Sequence, residues 1–254
     1  MKDRVVEIVA PLLFTAFIFV IWELGCWYFK PLPTVLPAPS RIWADMVQFR
    51  HVLFWDGLYT LYTTTIGFLL AAGFGLLLGI AVGWHKTVYA AVYPVLIGFN
   101  SIPKAAVVPI LIIWLSTGAA PAIITAFLIS FFPIVVNVAT GLATTEPELE
   151  DVLRALGGSK LDVMRKVGIP RSMPYFFGSL KVAITLAFVG AVIAETLGAS
   201  QGIGKRMVDA SAAFQVPLVF AGLLILAFMG IILYMITALI EQRFTGWAFR
   251  GQNR

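Results

Sequence analysis

The sequence contains few side chains at the spacing that catalysis requires. Its nearest approach to a phosphate-binding loop is Gly202-Ile-Gly204-Lys205. Such a loop needs four residues between its glycines and a serine or threonine after the lysine, whereas one residue separates these glycines and Arg206 follows the lysine. We predict that the chain binds no nucleotide itself and that this segment is a flexible external turn.

Metal and redox chemistry have equally little support in the side chains. Cys26 is the single cysteine, so the chain can form neither an internal disulfide nor a multi-cysteine metal site. The two histidines, His51 and His85, fall on opposite sides of the membrane in the topology that the hydropathy pattern predicts below. They therefore cannot share a metal ion. We therefore expect no metal and no other cofactor in this chain.

Ionisable side chains inside apolar segments are the best candidates for a polar path. Irregular backbone and a lysine at membrane depth both need water or a protein partner, so a proline break in an apolar segment is expected to line a cavity. The residues of this break are Asn100, Ser101, Pro103 and Lys104. Lys181 and Glu195 join the candidate path because ionisable groups in membrane helices usually face the interior. Lys104 or Lys181 can attract an anionic substrate, and the alternative is a structural ion pair or a lysine that reaches the interface.

The elements that position these side chains are membrane helices. Of 254 residues, 60% are hydrophobic and 12% are charged, against roughly 25% charged in soluble domains. Three charge-free runs, Gly57 to Trp84, Ala105 to Thr145 and Ala210 to Ile240, reach the roughly 20 residues that cross the hydrocarbon layer. The composition therefore predicts an all-α integral membrane bundle.

The hydropathy pattern predicts about six transmembrane helices in a single domain over residues 1–254. Their approximate limits are Val6 to Tyr28, Leu58 to Gly83, Val88 to Ser116, Ala119 to Leu142, Ser172 to Glu195 and Val216 to Glu241. A proline-rich stretch, residues 31–39, separates an accessory first span (about 6–28) from a five-span core (about 58–241). Gly75, Gly79 and Gly83 predict a close helix contact, either within the chain or between two copies.

Basic residues predict that both termini are cytoplasmic. The formal net charge of +5 could suggest nucleic acid, but the positions of the charges favour a membrane topology, and lipid is the expected surrounding. The inside segments carry Lys2, Arg4, Lys86, Arg154, Lys160, Arg165, Lys166, Arg171, Arg243, Arg250 and Arg254. The outside segments carry Lys30, Arg41, Arg50, Lys205 and Arg206.

The longest cytoplasmic connection, residues 144–171, has the pattern of two short amphipathic helices. Thr145 with Glu148 has the pattern of a capping box, and so has Ser159 with Asp162. Gly168 and Pro170 are expected to end the second helix. An apolar ridge runs along the first helix through Leu149, Val152, Leu153 and Leu156. This ridge can dock a cytoplasmic partner, lie on the lipid interface or pack against the bundle.

The order of residues in this loop resembles the EAA loop of binding-protein-dependent ABC importer permeases. In that family Glu-Ala-Ala precedes a glycine, and a hydrophobic-x-x-proline sequence closes the loop. Gly157 matches the glycine, Pro170 matches the proline and Asp151 stands at the glutamate position, while Val152 and Leu153 replace the alanines.

Further segments resemble the nitrate, taurine, alkanesulfonate and pyrimidine-precursor permeases of that family. They are Pro37-Ala-Pro39-Ser40, Ile102-Pro103 with Pro109, and Ala194-Glu195 with Gly202-Ile-Gly204. The resemblance runs from Trp22 to Arg250. It implies a homodimeric or heterodimeric pore in the bacterial inner membrane, two ATPase subunits that bind ATP and magnesium, and an external solute-binding protein.

The resemblance also implies which residues dock the ATPase. They are Asp151, Arg154, Ala155, Leu156, Gly157, Gly158, Ser159 and Pro170. An ion-coupled secondary transporter is the main alternative, although the chain lacks a matched pair of interrupted spans. An intramembrane enzyme is a weaker one, because convergent nucleophiles and acid–base groups are missing from the sequence pattern.

Overall fold

The protein is represented by a computed structural model that describes residues 2–144 and 147–246, in which every described element is helical. The first part contains α1 (Lys2–Phe29), α2 (Pro39–Gln48), α3 (Arg50–Gly83), α4 (Lys86–Ser101), a 3₁₀ turn (Lys104–Val107), α5 (Val108–Leu115) and α6 (Ala119–Ala143). The second part contains α7 (Pro147–Ala155), α8 (Lys160–Val163), a π-helical turn (Met164–Gly168), α9 (Ile169–Gly198), α10 (Ile203–Ala212) and α11 (Val216–Thr245).

The helices confirm an all-α membrane bundle with about six spans. Among the described residues, α1, α3, α6, α9 and α11 are long and apolar enough to cross a bilayer. The segments Thr87–Ser101 of α4 and Lys104–Leu115 are bent by 69° relative to each other, and they give a sixth crossing if the pair forms one span. This bend confirms the break that Pro103 predicts in the third span.

The glycine strip on α3 packs against α6 of the same chain. A Cβ atom on Gly75, Gly79 or Gly83 would lie 2.8, 2.7 or 2.9 Å from the Cβ atoms of Ile134, Val138 and Leu142, respectively. The absence of side chains thus lets the two backbones approach closely. α6 lies between α3 and α9 and contacts both extensively, so these three helices form a packed centre.

The third helix is longer than the sequence indicated. The predicted span began at Leu58, but α3 begins at Arg50 and has 34 residues, or about 50 Å at roughly 1.5 Å per residue. This length exceeds a hydrocarbon layer of about 30 Å, so one end of α3 projects beyond it. Asp56 lies in this added part of the helix, where its side chain is buried and forms an ion pair with Arg206 on α10.

The first helix contacts the bundle near its C-terminal end. The Trp22 ring lies 5.7 Å from that of Phe220 on α11, and the Glu23 carboxylate accepts hydrogen bonds from the Ser40 backbone and hydroxyl. In the most apolar window of the span Val9–Phe29 none of the residues is buried. α1 is therefore attached at one end, and most of its length faces away from the chain's own core.

Candidate functional site

The loop between α6 and α9 turns sharply at two glycines. The Gly158 N–H donates to the Leu153 carbonyl at 2.9 Å, the six-to-one bond of a Schellman helix end. Gly157 has a φ of +82°, a conformation that glycine adopts at little cost. A Cβ atom placed on Gly157 would meet nothing within 4 Å. The turn therefore presents bare backbone to its surroundings.

A capping box begins the second short helix of the loop. Ser159 Oγ accepts from the Asp162 N–H at 3.2 Å, and the Asp162 carboxylate accepts from the Ser159 N–H at 3.0 Å. These bonds confirm the capping pattern and satisfy two N–H groups that a helix start leaves free. The hydrogen bonds from Ser159 lower the pKa of Asp162, mainly the bond from the Ser159 hydroxyl. The other predicted box involves Thr145, which lies outside the described residues.

The predicted end of this second helix was wrong. Gly168 and Pro170 do not terminate it, because α8 continues through the π-helical turn into α9. Pro170 lies in the first turn of α9, where a missing N–H is tolerated. α9 alone has 30 residues, more than the roughly 20 that cross a bilayer, so the crossing does not need α8.

Most of the predicted docking residues lie at the surface. Asp151, Ala155, Gly157 and Ser159 are exposed. Leu156 is 79% exposed and Val152 is 58% exposed, although both are apolar. The side chain of Arg154 falls outside what the structure describes, while Gly158 and Pro170 are half-buried. The loop thus offers an apolar ridge with polar residues beside it.

The opposite face of the loop is anchored to the bundle. Val163 is buried, Met164 packs against the core shared by α3, α6 and α9, and Gly168 lies under Leu142 of α6. The Lys160 ammonium lies 2.9 Å from a ring nitrogen of His85, in the connection between α3 and α4. The loop therefore contacts several membrane helices directly.

At the break in the third span, Lys104 binds Asn100, which lies in the last turn of α4. Its ammonium group donates to the Asn100 side-chain oxygen at 2.8 Å and also contacts the Asn100 carbonyl. A cation at a helix C-terminus satisfies carbonyls that lack helical partners. Asn100, Ser101 and Pro103 are exposed on this chain, and Lys104 is half-buried. A polar strip at membrane depth must face water or protein rather than lipid.

The other two residues of the candidate path, Lys181 and Glu195, form contacts away from the break in the third span. The Lys181 ammonium forms an ion pair with Glu241 of α11 at 2.6 Å, which is the structural pairing considered as the alternative. Glu195 is 0% exposed and lies beneath the N-terminus of α10. In the described part of the chain, the polar contacts of these two side chains are made with residues other than those of the polar strip at Asn100–Lys104.

The surroundings of Glu195 also correct the prediction of a flexible turn. Gly202, Ile203 and Gly204 are buried and begin α10, a helix that the sequence did not indicate. The Gly204 N–H donates to Glu195 at 3.0 Å, and the Thr60 hydroxyl donates to it at 2.9 Å. The spacing of Asp56, Thr60 and Thr63, which puts all three on one face of α3, is the signal that could have revealed this network.

Comparison with known proteins identifies the family. Residues 71–246 match the family described as binding-protein-dependent transport system inner membrane component. The formylaminopyrimidine transport permease protein ThiX of Halalkalibacterium halodurans is 31% identical over 96% of this chain and 98% of its own length. The putative aliphatic sulfonates transport permease protein SsuC of Bacillus subtilis is 30% identical over 93% of this chain and 86% of its own.

A solved structure supports the same fold. A chain from the inward-facing MetNI methionine ABC transporter matches with a TM-score of 0.68 and 18% identity, over 78% of this chain and 98% of that one. These relatives favour an ABC permease over an ion-coupled secondary transporter. The chain belongs to the family of binding-protein-dependent transport system inner membrane components, and it is a multi-pass permease subunit of an ATP-driven ABC importer.

Proposed function

We propose that this permease docks its ATPase through the surface around Gly157 and carries a small polar nutrient past the break in its third span. The observation that carries the docking proposal is the open backbone at Gly157, which has a φ of +82° and no atom near the position of a Cβ. A partner can approach such a turn to backbone distance. The exposed apolar side chains of Val152 and Leu156 would supply the buried area.

The anchored face of the loop supports a role in coupling. Val163, Met164 and Gly168 connect the loop to α6 and α9, while Lys160 contacts His85 beyond the end of α3. Closure of two ATPase subunits would push the loops of two permease copies, or of a copy and a paralogue, toward each other. The packed centre of α3, α6 and α9 would transmit that motion and open the path to the outside.

The distribution of charge supports the proposed orientation. Basic residues concentrate in the segment that contains the loop, which favours a cytoplasmic loop and cytoplasmic termini. ATP and magnesium would then bind in the ATPase partner, and this chain would carry out no chemistry of its own. An external solute-binding protein would deliver the substrate to the opposite side.

The polar strip at Asn100–Lys104 is the proposed part of the path in this chain. The named relatives suggest formylaminopyrimidines and aliphatic sulfonates as the first compounds to test. The ammonium group of Lys104 would favour a substrate that carries negative charge or strong acceptors. Uptake of both compounds by cells that express the complete transporter distinguishes the two classes.

The docking proposal is tested with Gly157→Asp. Aspartate tolerates a positive φ better than most residues, and the site is open, so the permease should still fold. We expect the variant to lose co-purification with the ATPase and to lose ATP hydrolysis in proteoliposomes. Gly118→Asp is the matched control, because Gly118 also has nothing within 4 Å and lies at the other end of the bundle. Normal ATPase binding by Gly157→Asp would contradict the proposal.

A further inference from the structure

The helix α10 begins without a capping side chain of its own. Its N-cap residue is Gly202, with a φ of +110°, whereas helices usually begin with a serine, threonine, aspartate or asparagine that binds the first N–H groups. The first N–H groups of α10 bind side chains of other helices instead. Gly202 donates to Asp56 at 3.3 Å, Ile203 to Thr60 at 3.0 Å and Gly204 to Glu195 at 3.0 Å.

These contacts lie in a closed part of the protein. Thr60, Glu195 and Ile203 are each 0% exposed. A Cβ atom on Gly204 would lie 2.8 Å from the Val192 carbonyl oxygen, which shows how closely α10 approaches α9. Arg206 in the first turn adds an ion pair with Asp56 at 2.8 Å. The start of α10 is therefore held by α3 and α9 together.

The two helices that provide the cap are themselves firmly packed. A Cβ atom on Gly67 of α3 would lie 2.5 Å from the Ala126 Cβ of α6, and one on Gly190 of α9 would lie 3.0 Å from the Ala126 Cα. Contacts this close leave little freedom for α3 and α9 to shift separately.

We propose that Thr60 and Glu195 are positioning residues that make α10 a rigid external extension of α3 and α9. A partner that pushes on α10 would then act directly on two helices of the packed centre. This inference rests on the proposed function for its orientation, because α10 is external only if the coupling loop, residues 144–171, is cytoplasmic. The capping contacts themselves do not depend on that orientation.

The experiment measures amide hydrogen exchange of residues 202–206 in the permease–ATPase complex in lipid nanodiscs. Exchange is compared without nucleotide and after trapping with ATP and vanadate. We expect slow exchange in both states of the wild type. Thr60→Val removes one capping hydroxyl at nearly constant volume, and we expect exchange at the start of α10 to become roughly tenfold faster, since loss of a cap weakens a helix start.

Two further variants separate capping from packing. Thr64→Val is the matched control, because Thr64 is also fully buried on α3 while its hydroxyl has no hydrogen-bond partner among the described residues. We expect it to exchange like the wild type. Thr60→Ser keeps the hydroxyl and should restore slow exchange, which a role of Thr60 in packing alone would not produce.

Two results would overturn the inference. One is slow exchange in Thr60→Val, and the other is loss of wild-type protection after vanadate trapping. If vanadate fails to trap the complex at all, the proposed function is contradicted instead. The comparison of variants without nucleotide still decides whether Thr60 caps α10.

Discussion

The ammonium nitrogen of Lys181 lies 2.6 Å from a carboxylate oxygen of Glu241 and thereby joins α9 to α11. Both side chains are mostly shielded, at 29% and 14% exposure. Removing one partner leaves the other charge without compensation, whereas replacing both by apolar groups is often nearly neutral. Single and double substitutions of this pair can therefore distinguish a structural role of Lys181 from a role in binding substrate.

We predict that Lys181→Met lowers the free energy of unfolding by about 1.5–3 kcal/mol, the range for a hydrogen bond to a charged group. The double variant Lys181→Met with Glu241→Met should recover most of this loss. Thermal unfolding of the purified permease measures both effects, and uptake is measured beside it. A double variant that is stable but does not transport would return Lys181 to the substrate path.

The contact between α3 and α6 provides a second prediction. A Cβ atom on Gly79 would lie 2.7 Å from the Val138 Cβ, whereas one on Gly73 of the same helix would meet nothing within 4 Å. We expect Gly79→Ala to destabilise the protein by about 1–3 kcal/mol through overpacking. Gly73→Ala should be neutral or stabilise by up to about 1 kcal/mol, since alanine favours helix.

Unfolding by denaturant in mixed micelles compares these two variants, which lie on the same helix. Equal stabilities would show that α6 is not in close contact with the glycine strip. Such a result would favour the alternative that the strip meets a second copy of the chain.

The sequence revealed elements whose causes are local. The break at Pro103 follows from the proline itself, and the capping box at Ser159 and Asp162 follows from two residues three positions apart. The start of α10 could not be found in this way. Its caps come from Asp56 and Thr60, which are distant in sequence, and from Glu195 on the preceding helix. In the local sequence the two glycines, Gly202 and Gly204, are the main signal, and they suggest a turn.

Pro170 illustrates a second limit of local reasoning. A proline after a glycine usually marks a helix end, but here the proline falls in the first turn of α9. The π-helical turn at Met164–Gly168 connects α8 to α9 without a break in the helical backbone. Whether a proline ends one helix or begins the next depends on the direction that packing in the bundle gives to the chain. The hydrophobic periodicity of the sequence carries no information about that direction.

The capping box in the coupling loop predicts a dependence on pH. Hydrogen bonds from Ser159 hold the pKa of Asp162 below its ordinary value of 3.8. A carboxyl group whose pKa is lower in the folded protein stabilises the fold fully above the ordinary value, and this stabilisation disappears as the pH falls through the lowered pKa. The start of α8 should therefore loosen below pH 3.8, with no change near neutrality.

Carbon NMR of selectively labelled aspartate in nanodiscs measures this titration. We expect the Asp162 signal to titrate below 3.8 in the wild type and to move up toward that value in Ser159→Ala. The control is Thr144→Ala at the first residue of the loop, where the hydroxyl donates to the Thr140 carbonyl, and it should leave the Asp162 titration unchanged. An unchanged Asp162 pKa in Ser159→Ala would contradict the capping geometry.

The tightest contact around α10 leads to the last prediction. A Cβ atom on Gly202 would lie 2.3 Å from the carboxyl carbon of the buried Glu195, and the φ of +110° is one that other residues rarely adopt. We expect Gly202→Ala to destabilise the permease by about 2–5 kcal/mol, from backbone strain together with overpacking. Gly118→Ala should change stability little, because Gly118 has an extended φ of 178° and open surroundings. Thermal unfolding of both variants in the same detergent compares them. Equal unfolding temperatures would mean that Glu195 can move away from α10. A carboxyl group that is free to move could not hold the start of α10 in a fixed position, as the proposed capping by Thr60 and Glu195 requires.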